Sequence, residues 1–161
     1  MSNHKIILKK NILFDIFIEI LWLLFKDILI LNMKRCWIIQ ESDFFENKFS
    51  QFRKHNKGID RLLIDNLDTY FNTLKSGSLP INIQAGFIHK EPKGIKAIDQ
   101  KGGNRKGIGT PKQARLYIFP DTDTYILYLI TVGDKNSQKS DIKDCVDFVT
   151  DLKKIKEADN G

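Results

Sequence analysis

"QARLYIFPDTDTYILYLITV", residues 113–132, decides how this chain folds. Two runs rich in β-formers, QARLYIF (113–119) and TYILYLITV (124–132), flank PDTD, whose proline and aspartates favour a chain reversal. The pattern predicts a β-hairpin. Its second run is apolar almost throughout, as a central strand buried on both faces should be. Directly after it, Gly133 permits a sharp exit from the strand and Asp134 shapes a turn. A last helix follows, capped by Ser137 or Ser140. Asp141 begins it by charge and Ile142 by burial, and Cys145, Val146, Val149 and Leu152 extend its apolar face.

Upstream of the hairpin, KRCWIIQE (34–41) reads as a strand. Ser42 is an N-cap candidate for a helix whose Phe45, Phe49 and Phe52 share one face. HNKG (55–58) breaks that helix. A second helix spans 59–74, with Ile59, Leu62, Leu63, Leu67, Tyr70, Phe71 and Leu74 in a 3-and-4 repeat, and KSGSLP (75–80) ends it. Residues 81–112 are weakly patterned, apart from a strand-like alternation in GIKAIDQ (94–100) and a flexible basic loop that follows. The predicted order is strand, helix, helix, three strands, helix. This is an α+β class: a small, antiparallel-rich sheet packed on a helical hairpin.

An apolar helix is expected in front of this domain. ILFDIFIEILWLLFKDILIL, residues 12–31, contains Asp15, Glu19, Lys26 and Asp27, each costing roughly 2.5–3.5 kcal/mol near a bilayer centre. Asn11, Asp15, Glu19 and Lys26 fall on one narrow stripe, leaving a wide apolar face suited to docking on protein or lying in a membrane surface. No small-residue cleavage site follows, which argues against a signal peptide. Met33 is an alternative natural start. The domains expected are an extension at 1–32, a folded domain at 33–155 and a frayed tail at 156–161.

The net charge is +6, and residues 90–115 alone carry eight Lys/Arg against Glu91 and Asp99. A cationic segment beside a folded core attracts polyanions, nucleic acid first. Cys36 and Cys145 are far apart and read as two buried free thiols in a reducing, cytoplasmic compartment. His4, His55 and His89 form no cluster, so no metal site is expected.

ARLYIF (114–119) and GDKNSQKSDI (133–142), together with the element order, resemble the RelE/ParE superfamily of toxins from type II toxin–antitoxin pairs, nearest its HigB-like, addiction-module-killer branch. Arg115 and Tyr117 stand at that family's arginine and second tyrosine, with Ala114 in place of the first. Gly133, Asp134, Lys135, Gln138, Asp141 and Ile142 match the second motif. The resemblance implies a messenger-RNA endoribonuclease, acting in some members on the ribosome, that uses the RNA's own 2′-OH and needs no metal or cofactor. It also implies a cognate antitoxin as partner.

Such a reaction needs a base for the 2′ proton, a cation for the crowded phosphate and an acid for the leaving 5′ oxygen. Arg115 suits the phosphate, Lys135 a proton transfer, and Gln138 a base edge or phosphate. Arg105, Lys106 and Lys112 would clamp the RNA backbone. No histidine or tyrosine reads as the general base. Two alternatives remain: a non-enzymatic, gyrase-binding toxin of the same fold, and a basic nucleic-acid-binding or membrane-associated domain without toxin activity.

Overall fold

In the computed structural model the chain divides into two units, Met1–Arg35 and Cys36–Gly161. The structure describes residues 36–101 and 113–159, together with residues 18, 21 and 22. In the first unit Ile18, Leu21 and Trp22 are helical and exposed. The rest of the expected N-terminal helix lies outside the described residues. Among the described residues no helix is long and apolar enough to cross a membrane.

The second unit is α+β. Strand β1 (Ile38–Glu41) leads into helices α1 (Phe45–His55) and α2 (Ile59–Lys75). Strands β2 (Ile88–Lys90), β3 (Lys96–Asp99), β4 (Ala114–Asp121) and β5 (Ile126–Asp134) follow, and helix α3 (Gln138–Asp159) closes the fold. The five strands form one sheet in the order β1-β5-β4-β3-β2, parallel between β1 and β5 and antiparallel elsewhere. Strand β2 is an element the pattern did not reveal. Three residues, His89 between Ile88 and Lys90, are too short to carry an alternation.

Helices cover both faces. On one side Phe45, Phe52, Leu63, Leu67 and Tyr70 from α1 and α2 pack with Ile98, Leu116, Ile118, Leu127 and Leu129. On the other, Cys145 and Val149 of α3 pack with Ala97, Tyr117, Tyr128 and Ile130. Strand β5 is therefore enclosed from both sides, which accounts for its unbroken apolar run. Tyr117 pairs with Thr131 but Ile118 pairs with Leu129, so Ile130 is an extra residue in β5. The bulge brings Ile130 to the α3 side, and beyond it the two faces resume their alternation.

Several local expectations are corrected. Ser42 does not cap α1. Its hydroxyl is buried and donates to the Ile130 carbonyl at 2.8 Å, tying the chain to β5, and the position before the helix is Phe44, without a side-chain cap. The hairpin turn lies two residues further on than PDTD. Asp121 stays in β4 because its carboxylate accepts from the Asp123 backbone N–H at 3.2 Å and the Thr124 hydroxyl at 2.7 Å, while Tyr125 takes the positive φ of 58°. Cys36 is exposed, beside an edge strand, whereas Cys145 is buried; both are free. The tail is helical through Asp159, since the Lys156 ammonium donates to the buried Asp121 carboxylate.

Gly133 also has a different role from the one its neighbours suggested. It is an interior residue of β5, paired with Arg115, and its φ lies outside the left-handed region. The reason for glycine is space: a Cβ here would land on the carboxylate of Asp141 and the hydroxyl of Ser137, and lie 2.9 Å from Asp141 Cγ. Ser137 donates to Asp141 at 2.6 Å, and Asp134 accepts from the backbone N–H groups of Asn136 at 2.8 Å and Ser137 at 3.3 Å. The first turn of α3 thus sits directly on the Cα of Gly133. Gly133→Ala should cost about 3 kcal/mol in denaturant titration. Adding Asp141→Ala should recover part of that cost, through a coupling of about 1 kcal/mol. Strictly additive losses would refute the steric account.

Candidate functional site

Residues directly opposite one another on antiparallel strands project to the same face. Asp99 is opposite Arg115, and Arg115 is opposite Gly133, so one row crosses β3, β4 and β5 on the α3 side of the sheet. His89 joins it from β2, its Nε2 2.8 Å from Asp99 Oδ2. Lys101 Nζ lies 3.0 Å from the same oxygen, and the Lys101 backbone N–H donates to Asp99 Oδ1 at 2.8 Å. The resulting cluster holds an imidazole, a carboxylate and an ammonium at one end of the sheet, with Arg115 opposite Asp99 in the same row.

The backbone beneath the cluster is fixed by side chains from elsewhere. Asn66, buried on α2, donates to the carbonyls of Asp99 and Lys101 at 2.7 and 2.9 Å. Gln100 accepts from the Ala114 N–H at 3.0 Å, bridging the two ends of the chain that bound residues 102–112. Buried amide groups with both partners specified resist displacement. Asp99 and Arg115 are therefore anchored rather than merely adjacent.

Asp99 is the electrostatic centre. Burial opposes its ionisation, but hydrogen bonds from His89 and from the backbone and side chain of Lys101 outweigh burial and hold the carboxyl below its ordinary range. An ionised Asp99 accepts from His89 Nε2–H, which leaves Nδ1 as the imidazole acceptor. Arg115 is paired: its NH1 donates to Glu91 Oε1 at 3.0 Å, the two side chains being 25% and 11% exposed. A guanidinium has five N–H donors, however, and the single contact to Glu91 leaves the rest of the fork for an oxyanion. Beneath Arg115, burial pushes the Tyr117 phenol up, with Asp141 adding to the effect.

Lys135 and Gln138 stand nearby but are not joined to this cluster. Lys135 is exposed just after β5, and its backbone N–H donates to the Gln113 carbonyl at 3.1 Å. Gln138 is the half-buried first residue of α3. No hydrogen bond or ion pair links either side chain to Arg115. Arg105, Lys106 and Lys112 lie outside the described residues. Asp141 is a buried packing group: burial raises its pKa against the Ser137 hydrogen bond and the Lys48 ammonium 3.7 Å away.

His89 and Glu91 are the residues that sequence reasoning missed. Their signal was available only as a polar alternation in IHKE (88–91), too short to separate from a loop. Among the described residues no group of three or more His, Cys, Asp or Glu is arranged for a metal ion. Comparison with protein-family models, with curated proteins and with solved structures finds no match.

The low pKa of Asp99 has a testable consequence. A depressed folded-state value contributes stability that is present above the unfolded value of about 3.9 and lost as pH falls through the folded value. Asp99→Asn should therefore lower stability at pH 7, by about 1–3 kcal/mol for the donors left without a charged acceptor. It should also flatten the decline in acid. Urea midpoints for both proteins across the acid range check this; parallel pH curves would sink it.

Proposed function

We propose that this protein is a messenger-RNA endoribonuclease toxin of a toxin–antitoxin pair, cleaving RNA through its own 2′-OH. One observation carries the reading: an Asp99-oriented imidazole on β2 and a guanidinium on β4 share one sheet face, with Asp99 their common neighbour. His89 Nδ1 accepts the 2′ proton. The 2′ oxygen attacks phosphorus, and the unengaged N–H groups of Arg115 hold the non-bridging oxygens as negative charge accumulates. The bond to the 5′ oxygen breaks, and that oxygen takes a proton from Lys101 at the cluster, or from Lys135, which lies outside it just after β5. The products are a 2′,3′-cyclic phosphate and a 5′-hydroxyl. Arg105, Lys106 and Lys112 supply cationic charge to the RNA backbone, and Gln138 contacts a base edge. A cognate antitoxin holds the toxin inactive in its own cell.

The ion pair between Arg115 and Glu91 favours a second reading, a nucleic-acid-binding domain that does not cut. RNA would then compete with Glu91 for the guanidinium without any chemistry.

The two readings separate in one experiment. Purified full-length protein is incubated with messenger RNA in chelator, and the ends are mapped. Cleavage to cyclic-phosphate ends is expected, with His89→Ala and Arg115→Ala each slowing it by roughly 10²–10⁴-fold. Induced expression should arrest growth together with transcript fragmentation. Intact RNA in both assays, with retained binding, selects the second reading.

A further inference from the structure

Strand β4 carries Arg115 near its start and ends at Asp121, about 20 Å away at the usual strand rise. At that far end lies a cavity of about 660 Å³, within the range of small-molecule sites. Its walls include Leu79 and Ile81, 56% and 69% exposed, together with Phe119 and Leu152. Lys90 and Lys96 line it as well.

These two lysines are register partners across β2 and β3, so their side chains leave the same face side by side. Like charges directly opposite one another repel. Lys96 is only 7% exposed, and no hydrogen bond or ion pair engages its ammonium among the described residues. Burial, and then Lys90, lower its pKa. The nearby carboxylates do not relieve it. Glu91 is engaged by Arg115, Asp121 by Lys156 and Thr124, and Asp123 stands exposed in the turn. Most of the Lys96 side chain is covered while its ammonium keeps contact with solvent, and the sheet edge holds it beside a second ammonium with no acceptor among the described residues. An anion entering the cavity would relieve both charges, and the apolar walls would take a hydrocarbon attached to it.

We propose that this cavity is a binding site for a small amphiphilic anion, its carboxylate held between Lys96 and Lys90 and its aliphatic or aromatic body against Leu79 and Ile81. Glu91, the partner of Arg115, also lines this cavity, but the binding proposed here does not depend on the reaction proposed at Arg115.

Calorimetric titration of the full chain with octanoate, 1-octanol and inorganic phosphate tests the assignment. Octanoate should bind saturably, about tenfold or more tightly than the other two probes, and Lys96→Met should lose about tenfold or more of that affinity. In the unmodified protein, octanoate should slow acetylation of Lys96 by acetic anhydride, read by peptide mass spectrometry, while leaving Lys135 unchanged. That measurement does not depend on the folding of any variant. Absence of saturable octanoate binding overturns the proposal. So does equal binding of octanol, equal binding of phosphate, undiminished binding by Lys96→Met, or unprotected Lys96.

Discussion

Strand β5 has to be covered on two sides at once, and most of the architecture follows from that requirement. Leu127, Leu129 and Val132 demand the α1–α2 hairpin, while Tyr128 and Ile130 demand α3. The strand is also enclosed laterally, with β1 and β4 on its two sides, the first in parallel. The chain leaves β1 at one edge of the sheet, crosses a face as the helical hairpin, and returns at the opposite edge as β2. The bulge at Ile130 keeps both faces apolar along β5. At the strand's end the same constraint becomes steric: α3 must start immediately and close to the sheet, and only a residue without Cβ leaves room for Asp141 and Ser137.

The elements that could be read from the sequence were those whose burial is periodic. The α2 repeat and the α3 face at Cys145 and Val149 stand where the pattern puts them, and both strands of the hairpin form, each ending two residues later than the pattern suggests. The details that escaped are those set by one distant partner. Ser42 resembles a helix cap, yet a carbonyl 88 residues away takes its hydroxyl. Asp121 resembles a turn residue, yet it is a buried acceptor for Lys156 near the chain's end, and this keeps α3 helical where fraying was expected. Gly133 resembles a hinge and is a spacer. In each case the residue type was informative, but its use depended on a contact with no local trace.

Charge shows the same division. The sequence concentrates its basic surplus in residues 90–115, as though they formed one cationic surface. In the fold the stretch visits both ends of the sheet. Glu91 and Asp99, its two acids, are both consumed near Arg115, by Arg115 itself and by His89 with Lys101. Lys93 reaches the Thr150 hydroxyl on α3 at 2.8 Å. Lys90 and Lys96 are left together at the other end, one of them buried. A single run of charge thus becomes a compensated cluster and an uncompensated pair, with different chemical capacities.

That difference bears on what the Arg115 cluster can do. A fully exposed group of cations would bind phosphate, but its lysines and arginine would gain little beyond screened Coulomb attraction. Here each charge is oriented by a partner. Asp99 fixes which nitrogen of His89 carries the proton, and Glu91 fixes the direction of the Arg115 fork. Asn66 and Gln100 hold the backbone from which these side chains spring. Orientation costs the cluster part of its net positive charge, and the cost falls on ground-state attraction for any polyanion. Rate enhancement depends instead on groups aimed in advance at the atoms where charge develops. A compensated but oriented cluster is therefore weaker as a simple anion trap and better suited to proton transfer, provided that a cationic segment supplies the attraction. Residues 101 and 113, the ends from which the basic loop leaves and returns, lie beside Asp99 and Arg115, where that attraction would be needed.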